Sequence, residues 1–431
     1  MTSARVVVVG AGYVGLTTAA CLAHLGHRVV CADVDAAEVD RLRAGVVDIL
    51  EPGLPELVAE GRRCGRLRFV VGSAWAMRDS AGEPRVVLLC VPTPSDPLGR
   101  VDLGAVEAAV TELAGELAAG DVVVVKSTVP VGTTARIGGL LGRADVGLAS
   151  NPEFLREGTA VHDFLNPDRI VVGAADAAAA ARVVGLYGGL DAPVVSTDPV
   201  SSELIKYASN AYLAVQLSHV NDLAALCEAV GGDIGAVTAG MGHDPRIGSR
   251  YLAPGPGWGG SCLPKDARAL LWLGVARGVD LAVLRGAAEA NLEQQDRVVA
   301  KVLAAAGGRT RVAVLGLTFK AGTNDLRDSP AVAIAERLAA AAEVVAYDPA
   351  VRSTTARPAG GTVVDDAEPA VKGAAVVAVL TDWPEFRALD WARVAALMDG
   401  TGVVDTRNHL DTDAVRGSGL RWYGTGARPG G

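Results

Sequence analysis

Residues 255–266, GPGWGGSCLPKD, carry the side chains whose types and spacing are best suited to chemistry. Four glycines and one proline precede Cys262 in this run. Such a backbone can take positive φ and come close to a ligand. Pro264 suits the first turn of a helix, and Ala267, Leu270 and Leu271 continue at helical spacing, which places Cys262 near a helix N-terminus. There the exposed N–H groups and the positive end of the dipole favour thiolate over thiol. Asp266, about one turn further on, is spaced to position a proton or a water beside the sulfur. The same pattern also suits a glycine-rich turn around a buried cysteine, the common role of a free Cys.

A second constellation opens the chain. VVVVGAGYVG sets Gly10, Gly12 and Gly15 as G-x-G-x-x-G directly after a strand, with a helical run to Gly26 and a second strand closing on Asp33. Strand, helix and an acid about twenty residues on make a dinucleotide site, the acid accepting from a ribose hydroxyl. A carboxylate at Asp33 favours NAD over NADP, because it repels a 2′-phosphate. Further strands with turn-rich C-terminal ends follow in RVVLLCVPTP, DVVVVKSTVPVGTT and VGLASNPEFLREG. In an open parallel sheet ligands gather at those ends, which makes Thr93, Ser127, Thr128, Glu153 and Glu157 candidates for cofactor or substrate contact. Each is equally at home as an ordinary loop residue.

The elements that must position these groups are legible in outline. From Ser201 a helical pattern of about thirty residues runs without interruption, longer than the usual domain helix. Along it Glu203, Lys206 and Asn210 recur at i, i+3 and i+7, so one stripe carries an amine and an amide in an apolar setting. The segment HDPRIGSRYLAP then adds Arg246 and Arg250 ahead of the cysteine run. At Arg311 a second α/β unit begins: RVAVLGLTFK, EVVAYDP, AAVVAVLTDW and GVVDTRN read as four strands. It lacks G-x-G-x-x-G, and Lys320, Arg327 and Arg407 at its strand ends or loops suit a phosphate-bearing ligand instead of a second dinucleotide. The tail GTGARPGG reads as frayed. The fold class expected is α/β, two Rossmann-like doubly wound domains joined by a central helical domain: residues 1–200, 201–305 and 306–431.

Composition narrows the setting. A chain of 431 residues is expected to form two or three domains, and half of it is hydrophobic. No apolar run reaches the ~18 residues of a membrane span, and the N-terminus reads as a first strand and not as a signal peptide. The six cysteines show no CxxC and no clustering with the six histidines, so neither a disulfide framework nor a metal site is indicated. A reducing cytoplasm fits. The net charge of −9 argues against nucleic acid as a partner.

Taken in order, GAGYVG, NPEFLREG, ELIKYASNAYLA, RIGSRYL, GPGWGGSCLPKD, FKAGTNDLRDSP and VVDTRN resemble the motifs of the UDP-glucose/GDP-mannose dehydrogenase family over nearly the whole chain. The resemblance implies an NAD domain with Gly10, Gly12, Tyr13, Val14, Gly15, Asp33, Thr93, Ser127, Thr128, Glu157, Lys265 and Arg327 around the cofactor. It implies Cys262 as nucleophile, with Lys206, Asn210, Asp266, Glu153 and Thr128 about it. The substrate set it implies is Glu153, Phe154, Leu155, Arg156, Lys206, Asn210, Arg246, Tyr251, Gly259, Lys320 and Arg407. Trp258 stands where the family often has Phe, and Asn324 where Asp is frequent. The expected reaction is oxidation of a sugar C6 alcohol to the acid through a thiohemiacetal and a thioester on Cys262. UDP-glucose is the expected substrate, with GDP-mannose or a UDP-N-acetylhexosamine as alternatives. A homodimer on the long helix is implied as well. A catalytically silent NAD- or nucleotide-sugar-binding sensor is the reading from another class.

Overall fold

A computed structural model of the chain describes residues 3–80, 84–354 and 360–427. The chain forms two compact units, divided between Ser209 and Asn210. In the first, strands β1 (Arg5–Val9), β2 (Arg28–Asp33), β3 (Leu67–Val71), β4 (Val86–Leu89), β5 (Val122–Val125), β6 (Gly147–Ser150), β7 (Ile170–Ala174) and β8 (Val194–Thr197) make one sheet in the order β3-β2-β1-β4-β5-β6-β7-β8. All neighbours are parallel except β6 and β7. The VVVV run is apolar on both faces because both faces are covered: Val6 and Val8 enter one core, Val7 and Val9 the other. Reversal of strand order beside β1 opens a crevice at the C-terminal ends of β1 and β4, where such sheets bind ligands.

The second unit repeats the plan. Strands β9 (Arg311–Leu315), β10 (Glu343–Tyr347), β11 (Gly361–Val364), β12 (Val376–Val379), β13 (Gly402–Asp405) and β14 (Arg421–Gly424) run in the order β11-β10-β9-β12-β13-β14, all parallel. Val312 and Val314 pack on one side, Ala313 and Leu315 on the other. Two of its strands, β11 and β14, lie outside the four read from sequence, as β3, β7 and β8 do in the first unit. The tail is also corrected in part: Gly424 ends β14, and Thr425 and Gly426 are buried. The backbone N–H of Thr425 donates to Asn408 Oδ1 at 2.8 Å, and that of Gly426 to Glu228 Oε1 at 2.7 Å. Residues 428–431 of that tail lie outside the described residues.

The long helix spans Pro199–Val230 and crosses the division between the units. Beyond it, helices Ile234–Gly242, Leu263–Ala276 and Ala282–Ala306 lead to β9. Trp258, Ala267 and Leu284 join Ala211 and Ala214 of the long helix in a small core beneath the cysteine run. Among the described residues no helix is long and apolar enough to cross a membrane. No cluster of His, Cys, Asp or Glu there is arranged to hold a metal ion.

Candidate active site

The dinucleotide turn is built by close backbone approach. A Cβ on Gly10, whose φ is +100°, would lie 2.6 Å from the Cys90 carbonyl oxygen, and one on Gly15 would lie 1.9 Å from that of Gly10. Only glycine fits at either position. A Cβ on Gly12, by contrast, would meet nothing within 4 Å. Gly12 caps helix Tyr13–His24, and the open space beside it, at a helix N-terminus with Val14 partly exposed alongside, fits a pyrophosphate. Asp33, at the end of β2, accepts from Ala11 N at 2.7 Å and Asp35 N at 3.0 Å. It is partly exposed, which leaves carboxylate lone pairs available to a ribose diol. These residues fit NAD.

Across the crevice the hydroxyls of the β4 and β5 loops bind each other's backbone. Thr93 Oγ1 donates to the Thr128 carbonyl at 2.8 Å, and Ser127 Oγ to that of Val91 at 2.6 Å. They hold the loop in shape through bonds to the chain itself. Beyond β6, Glu153 is buried and accepts from Lys206 Nζ at 2.8 Å and from Leu155 N at 2.6 Å. Burial, the largest single influence, opposes its charge. The Lys206 ammonium, its hydrogen bond, the Leu155 N–H and the charge of Lys126 outweigh that and hold the carboxyl below its ordinary value. Glu153 is therefore a carboxylate at neutral pH. Phe154, next along, is covered by the Arg169 guanidinium at 3.6 Å from its centroid, with Lys206 Nζ at 5.4 Å. Arg156 is exposed and paired with Asp163, and Glu157 is partly exposed. Glu203, on the stripe read from sequence, turns out to cap helix Thr133–Leu141, accepting from Thr134 N at 2.8 Å and Gly132 N at 2.5 Å.

In the second unit Cys262 is the N-cap of helix Leu263–Ala276, with Pro264 in its first turn, as the spacing predicts. Its sulfur is partly exposed and 3.5 Å from Ser261 Oγ. Asp266 is only 1% exposed, and its backbone N–H donates to the Cys262 carbonyl at 2.9 Å. Asn210 Nδ2 donates to one of its oxygens at 2.6 Å and Lys265 Nζ to the other at 2.7 Å. Lys265, read as a cofactor residue, here balances that carboxylate. Sequence reasoning missed the cradle that fixes the glycine run. Gly255 N donates to Asn221 Oδ1 and Gln294 Nε2 to Gly255 O, both at 2.8 Å. Trp258 exchanges two backbone bonds with the Asn291 amide. Trp258 Nε1 donates to Ser218 Oγ at 2.9 Å, so the indole found where Phe is frequent has its polar atom satisfied. No local signal marked the cradle residues: Asn221 lies in SHVND and Asn291 and Gln294 in EANLEQQDR, runs already rich in polar residues.

The remaining predicted residues divide. Arg407 donates through Nη2 to Phe319 O at 3.1 Å, and Lys320 Nζ lies 5.6 Å from the Phe319 centroid, so the two cations converge on one aromatic residue. Burial lowers the Arg407 guanidinium against the opposing charges of Asp382 and Asp405. Gly259 packs against Asp328 and Pro330. Arg246 and Arg327 stand exposed, paired with Asp244 and Asp325. Tyr251 takes a φ of 60°, a conformation uncommon outside glycine.

A dinucleotide turn with an acid after β2, a second Rossmann-like sheet without that turn, and a cysteine capping a helix define an NAD-dependent oxidoreductase. The family is given by comparison: profiles of the UDP-glucose/GDP-mannose dehydrogenase family match its NAD binding domain over residues 4–191, its central domain over 200–293 and its UDP binding domain over 313–412. The chain belongs to that family. It is 39% identical to UDP-glucose 6-dehydrogenase YwqF of Bacillus subtilis over 98% of both chains. Identity to the UDP-glucose 6-dehydrogenase of Rhizobium meliloti is 41%, over 98% of this chain and 99% of that one. A solved UDP-glucose dehydrogenase from the hyperthermophilic archaeon Pyrobaculum islandicum superposes with a TM-score of 0.90 at 37% identity, covering 99% and 98% of the two chains.

Proposed function

We propose that this protein oxidises the C6 alcohol of UDP-glucose to the carboxylate of UDP-glucuronate, with Cys262 carrying the intermediate. The observation that supports this most directly is Cys262 at a helix N-cap with a buried, doubly bonded carboxylate one turn on. The substrate follows from what the relatives are named for.

NAD, when bound, supplies the hydride acceptor for both oxidations. In the first, the alcohol loses a hydride from C6 and a proton from oxygen, leaving an aldehyde. Glu153, kept ionised, accepts a proton through Thr128 or water, and the Lys206 ammonium stabilises negative charge developing on oxygen. The Cys262 sulfur then forms a bond to the aldehyde carbon, giving a thiohemiacetal. Loss of a second hydride from that carbon leaves a thioester. Water adds, the carbon–sulfur bond breaks, and acid and free thiol result. Asp266, both of whose oxygens are held by cationic or amide donors, orients the water and keeps Asn210 aimed. Net, one alcohol and one water give one acid, two hydrides and two protons.

The same reading takes residues 1–200, 201–305 and 306–431 as cofactor, central and nucleotide-sugar domains. Lys320, Arg407 and the exposed Arg246 meet the diphosphate, and Arg327 lies toward the cofactor. It makes the protein a cytoplasmic homodimer or larger homo-oligomer built on the long helix, where Leu204, Tyr212, Leu226 and Val230 are exposed. Counting NADH per UDP-glucose tests the core of it: two are expected, with no aldehyde released. A protein that binds NAD yet forms no NADH with any of a panel of UDP- and GDP-sugars is a silent sensor instead. Sedimentation showing a fully active monomer would remove the oligomer.

A further inference from the structure

Glu51 takes no part in the chemistry above, yet it is only 3% exposed and sits at a junction of three segments of the first unit. The hydroxyl of Tyr13 donates to its Oε2. Gly158 N donates to the same oxygen at 2.8 Å and to the Tyr13 oxygen at 2.9 Å. Val161 N donates to Oε1 at 3.2 Å. Its partners are thus a phenol and two backbone N–H groups, all neutral. A buried carboxyl group satisfied by neutral donors is costly to desolvate unless each donor is well aimed, which makes the junction sensitive to position.

The two ends it ties matter. Tyr13 is the first residue of the helix that Gly12 caps, so its ring is anchored at the cofactor turn. Gly158 closes residues 153–158, the loop that Glu153 opens with its bond to Lys206. Burial and the bond to Glu51 raise the Tyr13 hydroxyl far above its ordinary value, so it stays protonated and donates at any pH the enzyme meets.

We propose that Glu51 is a positioning residue that locks the substrate loop, residues 153–158, to the cofactor turn through Tyr13. Loss of the lock loosens Phe154, Leu155 and Arg156 and leaves Lys206 and Glu153 paired, so it acts on substrate capture and leaves the chemical step. The inference rests on the dehydrogenase reading for its kinetic consequence and not for its structural one.

The test uses the full chain and three variants, Glu51→Ala, Glu51→Gln and Tyr13→Phe, followed by hydrogen exchange at residues 151–165, calorimetric NAD titration and steady-state kinetics with UDP-glucose. Glu51→Ala strips the Val161 N–H of its acceptor and leaves the Gly158 N–H only the Tyr13 oxygen. Exchange at Gly158 and Val161 is expected to accelerate and the sugar KM to rise roughly ten- to hundredfold, the scale of hydrogen bonds to a charged group, while kcat stays within about threefold. Glu51→Gln, which keeps one acceptor oxygen, should recover part of the loss. Tyr13→Phe cuts the link to the cofactor turn but leaves Gly158 its bond to Glu51, so the sugar KM should rise and NAD affinity fall while exchange at Gly158 accelerates less than in Glu51→Ala. Unchanged exchange and KM in both Glu51 variants would overturn the proposal. So would kcat, KM and melting temperature declining together, which marks a purely structural residue. If Glu51→Ala does not fold, Tyr13→Phe and Glu51→Gln decide alone. Absence of NADH formation by the unaltered protein would count against the dehydrogenase reading, and the exchange result would still decide the role of Glu51.

Discussion

Gly259 lies three residues before Cys262, and adding a single methyl group there shows how tightly the sulfur is placed. A Cβ at Gly259 would sit 2.2 Å from the Asp328 carbonyl oxygen and 2.5 Å from Cδ of Pro330. Ordinary contact begins near 3.4 Å, so the run must move by the difference, 3.4 − 2.2, or about 1.2 Å. Neither obstacle can rotate aside, since one is backbone and the other a ring. Overpacking of this kind costs about 1–3 kcal/mol. A misplacement on the order of 1 Å near a reacting atom costs about a hundredfold in rate. Gly259→Ala should therefore lower kcat for NADH formation about a hundredfold, and lower the melting temperature by a few degrees. Gly139→Ala is the control: that glycine is exposed in helix Thr133–Leu141 with nothing within 4 Å of its would-be Cβ, and the change should be neutral or stabilise by up to about 1 kcal/mol. Initial rates at saturating NAD and sugar, with thermal melts of both variants, measure the effects. A Gly259→Ala enzyme with kcat within twofold of the unaltered protein would refute the placement of Cys262 by this packing.

Cys262→Ser retains a nucleophile but makes an ester that hydrolyses far more slowly than a thioester, so intact-protein mass spectrometry should find an adduct of the sugar's mass, while Cys262→Ala forms no acid. Iodoacetamide near pH 7.5 should label Cys262 and the exposed Cys64, with activity lost in step with Cys262 alone. Burial pushes the Cys21 and Cys90 thiols up to about 12 and that of Cys31 well above its ordinary value, so labelling of those three in the folded protein would contradict the structure. Glu153→Gln strands the Lys206 charge and should destabilise the first unit by about 3–5 kcal/mol at pH 7. Because the folded carboxyl is held low, the stability its pair contributes is full above the unfolded value of about 4.3 and is lost as pH falls through the lower folded value. The gap between the two proteins in denaturant unfolding should narrow as pH drops below about 4.3, and a constant gap down to pH 3.5 would contradict this.

What the sequence made legible was whatever is local. The turn at Gly10, Gly12 and Gly15, the acid at Asp33 and the capping position of Cys262 each follow from spacing along a few residues, and all three stand where they were expected. Strands β3, β8, β11 and β14 were missed because each carries exposed or partly exposed positions along its run, where the strands that were read are mostly buried, and β7 was missed although it is apolar, lying beside the antiparallel pairing with β6. The cradle of Ser218, Asn221, Asn291 and Gln294 was missed for a different reason. Each of these residues is ordinary on its own helix, and only folding brings them to one loop. Glu51 was invisible in the same way, its partners lying 38 residues before it and 107 or 110 after it in hydrogen-bonding terms of chain separation.

The two sheets share an order and a carboxylate at the same station, Asp33 at the end of β2 and Asp348 directly after β10. Gly316, with φ +97°, repeats the turn of Gly10. Yet Asp348 is 1% exposed, and its Oδ2 accepts from Leu317 N at 2.7 Å, Thr318 N at 2.9 Å, Thr318 Oγ1 at 3.0 Å and Trp383 Nε1 at 3.1 Å. One carboxylate keeps a face open to solvent and its counterpart is a strut. Repetition of a fold therefore need not repeat a valence: the second sheet copies the strand order and the turn, yet the oxygen that would answer to the exposed one has every acceptor direction spent on its own chain.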